Sequence, residues 1–385
     1  MPQYFSPGVY VEEIPPAARP ISGVGTSIAG FIGVVANTVD MPPKPGKPNE
    51  KLAVAEVGLP RLITSWEEFK SQFGDIQPGN KTLALAIYGF FNNGGTRSWV
   101  LRVADAADLT SPAEELEKFE AIDEITLIAV PGAITDVQHS AIITHCSKLQ
   151  DRFAILDGVE SAGPGDIGVI RPVGRSKEAS YAALYYPWIK VFDPVTQTPI
   201  VLPPSGHIAG MYSRSDGARG VFKSPANEVL LGSLDTSKPI SKAMQDGLNP
   251  ESINAIRNFN GAVKVWGGRT MADEGAAEFR YISTRRLMNF LRESIDDGTQ
   301  WVVFEPNSPA LWQRISRTIN DFLLTQWQAG ALFGETAKQA FFVKCDKDTN
   351  PPQLRELGQV VTEIGVAIVK PAEFVIFRIQ QTTGN

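Results

Sequence analysis

Hydrophobic positions fall into short β-prone runs separated by helical periods. Ile28 to Val35, Ser98 to Val103, Ile125 to Val130 and Phe153 to Asp157 read as strands. Between them lie helical signals. Ser65-Trp-Glu-Glu68 is a capping box opening a short helix that Gly74 closes, and Leu83, Ile87, Phe90 and Phe91 share one helical face. Pro112 to Ile122 and Asp136 to Leu149 complete this half, while Thr38 to Lys51 reads as an exposed loop. The second half predicts extended segments at Tyr181 to Trp188 and Ile189 to Phe192, then helices at Ser205 to Ser213 and Pro250 to Phe259. Strand Ala262 to Trp266, helix Ile282 to Ile295, strand Gln300 to Glu305, a long helix from Pro309 to Ala329 and strand Ala340 to Lys344 follow. Strands alternating with helices imply right-handed βαβ units and a mainly parallel sheet.

The two ends break this rhythm. Tyr4, Phe5, Val9, Tyr10, Val11 and Ile14 form an apolar segment that Pro7 interrupts and Pro15, Pro16 and Pro20 close. It cannot be helical and is too short to make a sheet alone. At the other end, Val360 to Val369 and Phe374 to Ile379 are two β-branched runs around Lys370-Pro-Ala-Glu373. Unpaired strand edges are costly, so both ends are expected to pair with something, in this chain or another.

Composition narrows the function. The chain has 385 residues, long enough for two packed lobes. Its 20 Phe, 8 Tyr and 7 Trp exclude a disordered coil. A net charge of -6 argues against a dedicated nucleic-acid binder. Three His and two Cys leave little for a metal or catalytic cluster. The first residues lack a basic and apolar leader, and Ser27 to Ala36 is too short to span a membrane, so synthesis and folding in the cytosol are expected.

The chemical motifs are weak. Gly163-Pro-Gly-Asp-Ile-Gly168 fits a phosphate-loop spacing, but Pro172 follows instead of a helix start. Gly25-Thr-Ser27 leads into a strand, whereas a nucleophile elbow follows one. Ser205 and His207 are sequence neighbours, seldom a catalytic pair, and His139 and His145 lack the spacing of a shared metal face. No catalytic, cofactor or metal residue is assigned. Arg280, Arg285, Arg286 and Arg292 cluster around one helix, with Arg314 and Arg317 on the next, either as the solvated faces of amphipathic helices or as a patch docking an acidic partner.

Several stretches together resemble the contractile tail sheath family. They are Tyr4-Phe-Ser-Pro-Gly-Val-Tyr-Val-Glu-Glu-Ile14, Pro203-Pro-Ser-Gly-His-Ile-Ala-Gly-Met-Tyr212, Pro225-Ala-Asn-Glu228 and Ile253-Asn-Ala-Ile-Arg257. Val265-Trp-Gly-Gly-Arg-Thr270, Tyr281-Ile-Ser-Thr-Arg-Arg286, Phe304-Glu-Pro-Asn307 and Val369-Lys-Pro-Ala-Glu-Phe-Val-Ile-Phe-Arg378 complete the set. The resemblance covers nearly the whole chain. It implies an α/β, two-lobed body: a mainly parallel, subtilisin-like sheet domain and an α+β C-terminal domain, with extended β arms. The divisions are an arm and hinge over 1–20, a segment over 21–97 packing with the C-terminal domain, the subtilisin-like domain over 98–260, the C-terminal domain over 261–358 and a C-terminal arm over 359–385.

The resemblance further implies stacked rings around an inner tube, and contraction that drives the tube through a target envelope. The partners are other copies of the chain, the tube protein, and baseplate and terminator proteins, without nucleic acid, cofactor or membrane insertion. Assembly in a bacterial cytoplasm into a phage tail or released phage-like particle is expected. Tyr4, Phe5, Val9, Tyr10, Val11 and Ile14, with Val366, Ile368, Phe374, Ile376, Phe377 and Ile379, would be the inter-subunit arms. Pro15, Pro16, Pro20 and Gly23 would be the hinge, and Arg285, Arg286, Arg292 and Arg355 the tube contact. A static virion component and a subtilisin-like hydrolase are the competing readings.

Overall fold

The computed structural model describes residues 20–376. By internal contacts these form two units, one of residues 23–293 and 368–376, the other of residues 20–22 and 294–367.

The larger unit begins with β1 (Ala29–Val34) and a hairpin of β2 (Pro43–Lys44) and β3 (Lys47–Lys51), inside the stretch expected to be a loop. β4 (Arg61–Ile63), α1 (Trp66–Phe73) and α2 (Lys81–Asn92) lead to β5 (Ser98–Val103). Ser65 accepts the Glu68 N–H at the start of α1, and Gly74 closes it at φ 79°, a conformation that suits glycine. The acidic segment shortens to α3 (Ala113–Glu117). Next come β6 (Leu127–Ala129), α4 (Asp136–Leu149), β7 (Phe153–Asp157) and α5 (Ile167–Ile170). β8 (Ala182–Tyr186), β9 (Ile189–Asp193), β10 (Thr198–Leu202) and α6 (Ser205–Arg219) follow. β11 (Glu228–Val229), β12 (Ser233–Thr236), α7 (Lys242–Leu248), β13 (Ile253–Phe259) and β14 (Ala262–Val265) then lead to α8 (Ile282–Thr299), which runs on into the smaller unit.

Nine of these strands form one sheet in the order β11-β14-β13-β8-β7-β6-β1-β5-β4. Its run from β13 to β5 is parallel, and both ends carry antiparallel additions. Alternate residues feed two cores. Phe31, Phe153 and Ile155 join α2 and α6 on one face, while Ile32, Ala154 and Leu156 join α4 on the other. This sheet includes β1 and β4, and residues 23–97 belong to the larger unit. The expected helix over Pro250 to Phe259 is instead β13: its Ile253 and Ile256 fit a helical spacing, but parallel pairing with β8 decides the backbone.

The smaller unit contains the end of α8, α9 (Pro309–Gln328), α10 (Ala337–Ala340), β15 (Phe341–Lys344), α11 (Pro352–Glu356) and β16 (Glu363–Val366). Ser308 caps α9, whose Leu311, Ile315, Ile319, Phe322 and Leu323 are buried. The expected strand at Gln300 to Glu305 is a 3₁₀ turn over Gln300–Val302 followed by exposed loop. β15 and β16 pair antiparallel as a two-stranded sheet.

Candidate functional site

The last described segment is tied to the body at one carboxylate. After β16, residues 369–376 carry no strand, and Phe374, Val375 and Ile376 are exposed. Between them and the hairpin sits Glu373. Arg269 donates to it through Nε and Nη2, both at 2.8 Å, Asn249 Nδ2 at 2.8 Å and the Tyr281 hydroxyl at 3.0 Å. Burial opposes the charge, but the bonds from Arg269 and Asn249 prevail and hold the carboxyl below the usual range. Arg269 itself is fixed by buried Asn254 of β13. Asn254 Oδ1 accepts the Arg269 N–H at 2.8 Å, and its Nδ2 donates to the Arg269 carbonyl at 2.8 Å. Gly267 permits the approach, since a Cβ there would lie 2.8 Å from the Asn254 Cα. Residues 369–375 thereby form one wall of an open groove of about 830 Å³, with Lys223, Arg257, Phe259 and Trp266 among its other walls.

A second fixed point lies near the start of the described chain. Arg286 and Asp216 form a buried bidentate pair at 2.9 and 2.5 Å. Thr26 joins both partners: its carbonyl accepts from Arg286 at 2.8 Å and its hydroxyl donates to Asp216 at 2.7 Å. The Arg286 guanidinium also lies 4.6 Å from the Tyr212 ring centroid. Burial works against the Arg286 charge, but Asp216 outweighs it and raises the pKa above the ordinary arginine value.

These contacts revise the expected tube contact. Arg286 is buried, and Arg285 is buried against the Phe279 and Tyr181 rings, with Nη2 bonded to Ser180 at 2.9 Å. Neither is available as a surface cation, because both guanidiniums are spent on packing inside the chain. Arg292, which bonds Gln150, and Arg355 of α11 are exposed.

The other sequence-selected residues are spread more widely. Tyr4, Phe5, Val9, Tyr10, Val11, Ile14, Pro15, Pro16, Phe377 and Ile379 lie outside the described residues. Val366 is in β16 opposite Phe341 of the same chain, so it belongs to a hairpin this chain builds for itself. Ile368 follows just beyond the hairpin, whose adjoining Ala367 N–H donates to the Ala340 carbonyl at 2.8 Å. The described part of the hinge is packed: Pro20 is exposed, but Ile21 is buried, and a Cβ on Gly23 would lie 2.8 Å from the Phe290 ring.

The histidines are structural in their surroundings. His139, His145 and His207 are buried, and burial lowers the pKa of each, to about 4 for His145 and His207. His207 lies on α6 against Gly89 of α2, where a Cβ would come within 2.2 Å of its ring. The Ser205 hydroxyl donates to Asp157 at 2.8 Å, and the Ser205 and Gly132 N–H groups donate to the same carboxylate. Burial pushes the Asp157 carboxyl up to about 6.

A family model described as the phage tail sheath protein central domain matches residues 104–271, and one described as the phage tail sheath C-terminal domain matches 274–382. The helical sheath of the anti-feeding prophage, solved in its contracted state, is 33% identical with a TM-score of 0.77, over 98% of this chain and 99% of that one. The chain belongs to the phage tail sheath family. This sheath protein also superposes on the contracted sheath complex of PVC, an extracellular contractile injection system, with a TM-score of 0.75 and 28% identity over 99% of both chains. The tail sheath protein of Burkholderia phage BcepMu is 24% identical over 80% of this chain and 64% of that one. The sheath chain is therefore a contractile sheath subunit, from a phage tail or an injection system of that kind, and its family is a structural one. Its mixed α/β body with a large, mainly parallel sheet is the sheath fold.

Sequence reading missed the two fixed points. Arg269, Tyr281, Arg286 and Glu373 lie within the family-like stretches, whereas Thr26, Asp216 and Asn249 do not, and the partners are separated by 70 residues for Arg286 and Asp216 and by 104 for Arg269 and Glu373. The segment Pro203 to Tyr212 also acquires a physical role. Gly206 and Gly210 let α6 touch α2, since a Cβ at either would lie 2.5 Å from the Ala86 carbonyl oxygen or 2.2 Å from that of Phe90.

Proposed function

We propose that copies of this sheath subunit stack as rings around an inner tube and are linked by strand exchange between their ends. The supporting observation is the two-stranded sheet of β15 and β16, too small to be stable alone in water, in a chain that carries β-prone arms at both ends. Residues ~3–14 of one copy, and residues ~374–380 of another, would add strands to this hairpin by β-augmentation. Register would follow from the alternation of side chains, since a slip of one residue exchanges the faces.

The free energy for contraction would be stored at assembly, in an extended lattice that is metastable to a better-packed one. A gain per subunit on the order of 1–3 kcal/mol, summed over many copies, would suffice. The role is mechanical, without a catalytic step. Arg292 and Arg355, exposed and cationic, remain available for a weak, releasable contact with the tube. Baseplate and terminator proteins would close the two ends, and assembly would take place in the bacterial cytoplasm.

Deletion of residues 1–14 tests the linkage. The expected product is a folded monomer that forms no cylinders in negative-stain images. Long cylinders from the deleted chain would overturn the strand-exchange reading.

A further inference from the structure

The segment Tyr281-Ile-Ser-Thr-Arg-Arg286 takes part in both fixed points. Tyr281 immediately precedes α8 and donates its hydroxyl to Glu373. Arg286 lies on the second turn of α8 and holds Thr26 together with Asp216. The two residues are five positions apart, about 7–8 Å along a helix axis. The Tyr281 carbonyl accepts the Arg285 N–H at 3.1 Å, so a hydrogen-bonded turn leads from Tyr281 to the residue before Arg286. The turn is itself fastened to the sheet. Tyr281 and Arg269 form an antiparallel bridge, the Ile282 N–H donates to the Gly268 carbonyl at 3.0 Å, and the Met271 N–H donates to the Ala182 carbonyl of β8 at 2.9 Å.

We propose that the start of α8 is a common root for the two arms, with Glu373 and Thr26 as the positions where each arm is tied to the body. The inference rests on the reading of the chain ends as inter-subunit links. An extended segment with no strand partner transmits a pull poorly, because it can peel away from the surface it lies on. A carboxylate with four charge-assisted or hydroxyl hydrogen bonds to three side chains resists peeling. The Thr26 tie is deeper still, since both of its ionic partners are buried. With the two ties five positions apart at the start of α8, tension entering by one arm leaves by the other through a few residues of that helix. On the way it passes one core, since Ile282 and Tyr212, whose ring Arg286 faces, are both buried there. Glu373, Tyr281 and Thr26 act here as positioning residues for contraction.

The test uses particles from cells making the full-length chain with its tube and baseplate proteins, with the unaltered sequence, Glu373→Ala or Thr26→Val. Monomer melting is measured beside the lengths of triggered, contracted sheaths in negative stain. Either substitution is expected to leave the monomer melting within a few degrees and to allow extended sheaths. On triggering, those sheaths should break into short ring stacks. Contracted sheaths of undiminished length from Glu373→Ala overturn the proposal. If Glu373→Ala prevents folding, Tyr281→Phe removes one hydroxyl from the same tie and decides the matter by the same length measurement. A chain ending at Glu373 separates the two ideas. Normal cylinders from it would refute the arm reading, whereas loss of cylinders combined with intact Glu373→Ala sheaths would refute only the common root.

Discussion

Asp216 and Arg286 show how much one pair can determine. Both side chains are almost fully enclosed, so each charge depends on the other. Removing one partner of such a pair strands the other in a medium that cannot solvate it, at a cost of about 3–5 kcal/mol. Asp216→Ala should therefore lower monomer stability by that order in chemical denaturation, and a loss below 1 kcal/mol would show that the pair is not desolvated. Asp157 offers a different residue-scale check. Its carboxyl is pushed up to about 6 by burial, partly offset by the hydrogen bonds from Gly132 and Ser205. The folded chain thus binds this proton more tightly than an unfolded chain, whose carboxylate titrates near ~4. The stability this group contributes is full below about pH 4 and is lost as the pH rises towards 6. A carbon-detected NMR titration should find its midpoint near 6, moved upward in Ser205→Ala; a midpoint below the ordinary carboxylate value would contradict the burial described for it.

Helix α6 carries the clearest lesson among the elements. Alanine ordinarily improves a helix interior over glycine by about 1 kcal/mol, but Gly210 has the Phe90 carbonyl where a methyl group would go. Gly210→Ala should instead destabilise the chain by about 1–3 kcal/mol through overpacking, measured by denaturant unfolding, and a stabilised variant would refute the close contact. Elements with strong local signals were readable from sequence: α4 and β7 begin and end at the residues expected, and Ser65 and Gly74 bound α1. The failures occurred where tertiary contacts decide. Ile253 to Phe259 has apolar spacing compatible with a helix and becomes a strand because β8 and β14 flank it. Gln300 to Glu305 is β-prone but joins no sheet among the described residues; Val303 and Phe304 end exposed, with Phe304 at φ 68°. The basic residues of α8 were invisible as core residues because their partners, Asp216, Ser180 and the rings of Phe279 and Tyr181, come from elsewhere in the chain or from a separate turn.

At the scale of the whole molecule, the poverty in histidine and cysteine seen in the sequence fits a part whose work is done by edges and fixed points. The larger unit supplies a doubly covered sheet, and its last described segment is tied down at Glu373. The smaller unit supplies the antiparallel pair of β15 and β16, to which no third strand is added among the described residues. In an assembled sheath the account requires that ties within a copy outlast the rearrangement between copies. Cryo-EM of the same particles before and after triggering tests this most directly. The account predicts cylinders of two lengths and diameters, with residues ~3–14 of one copy paired beside β16 of another in both states. Arms folded back onto their own chain in either state, or cylinders that keep a single length, would contradict it.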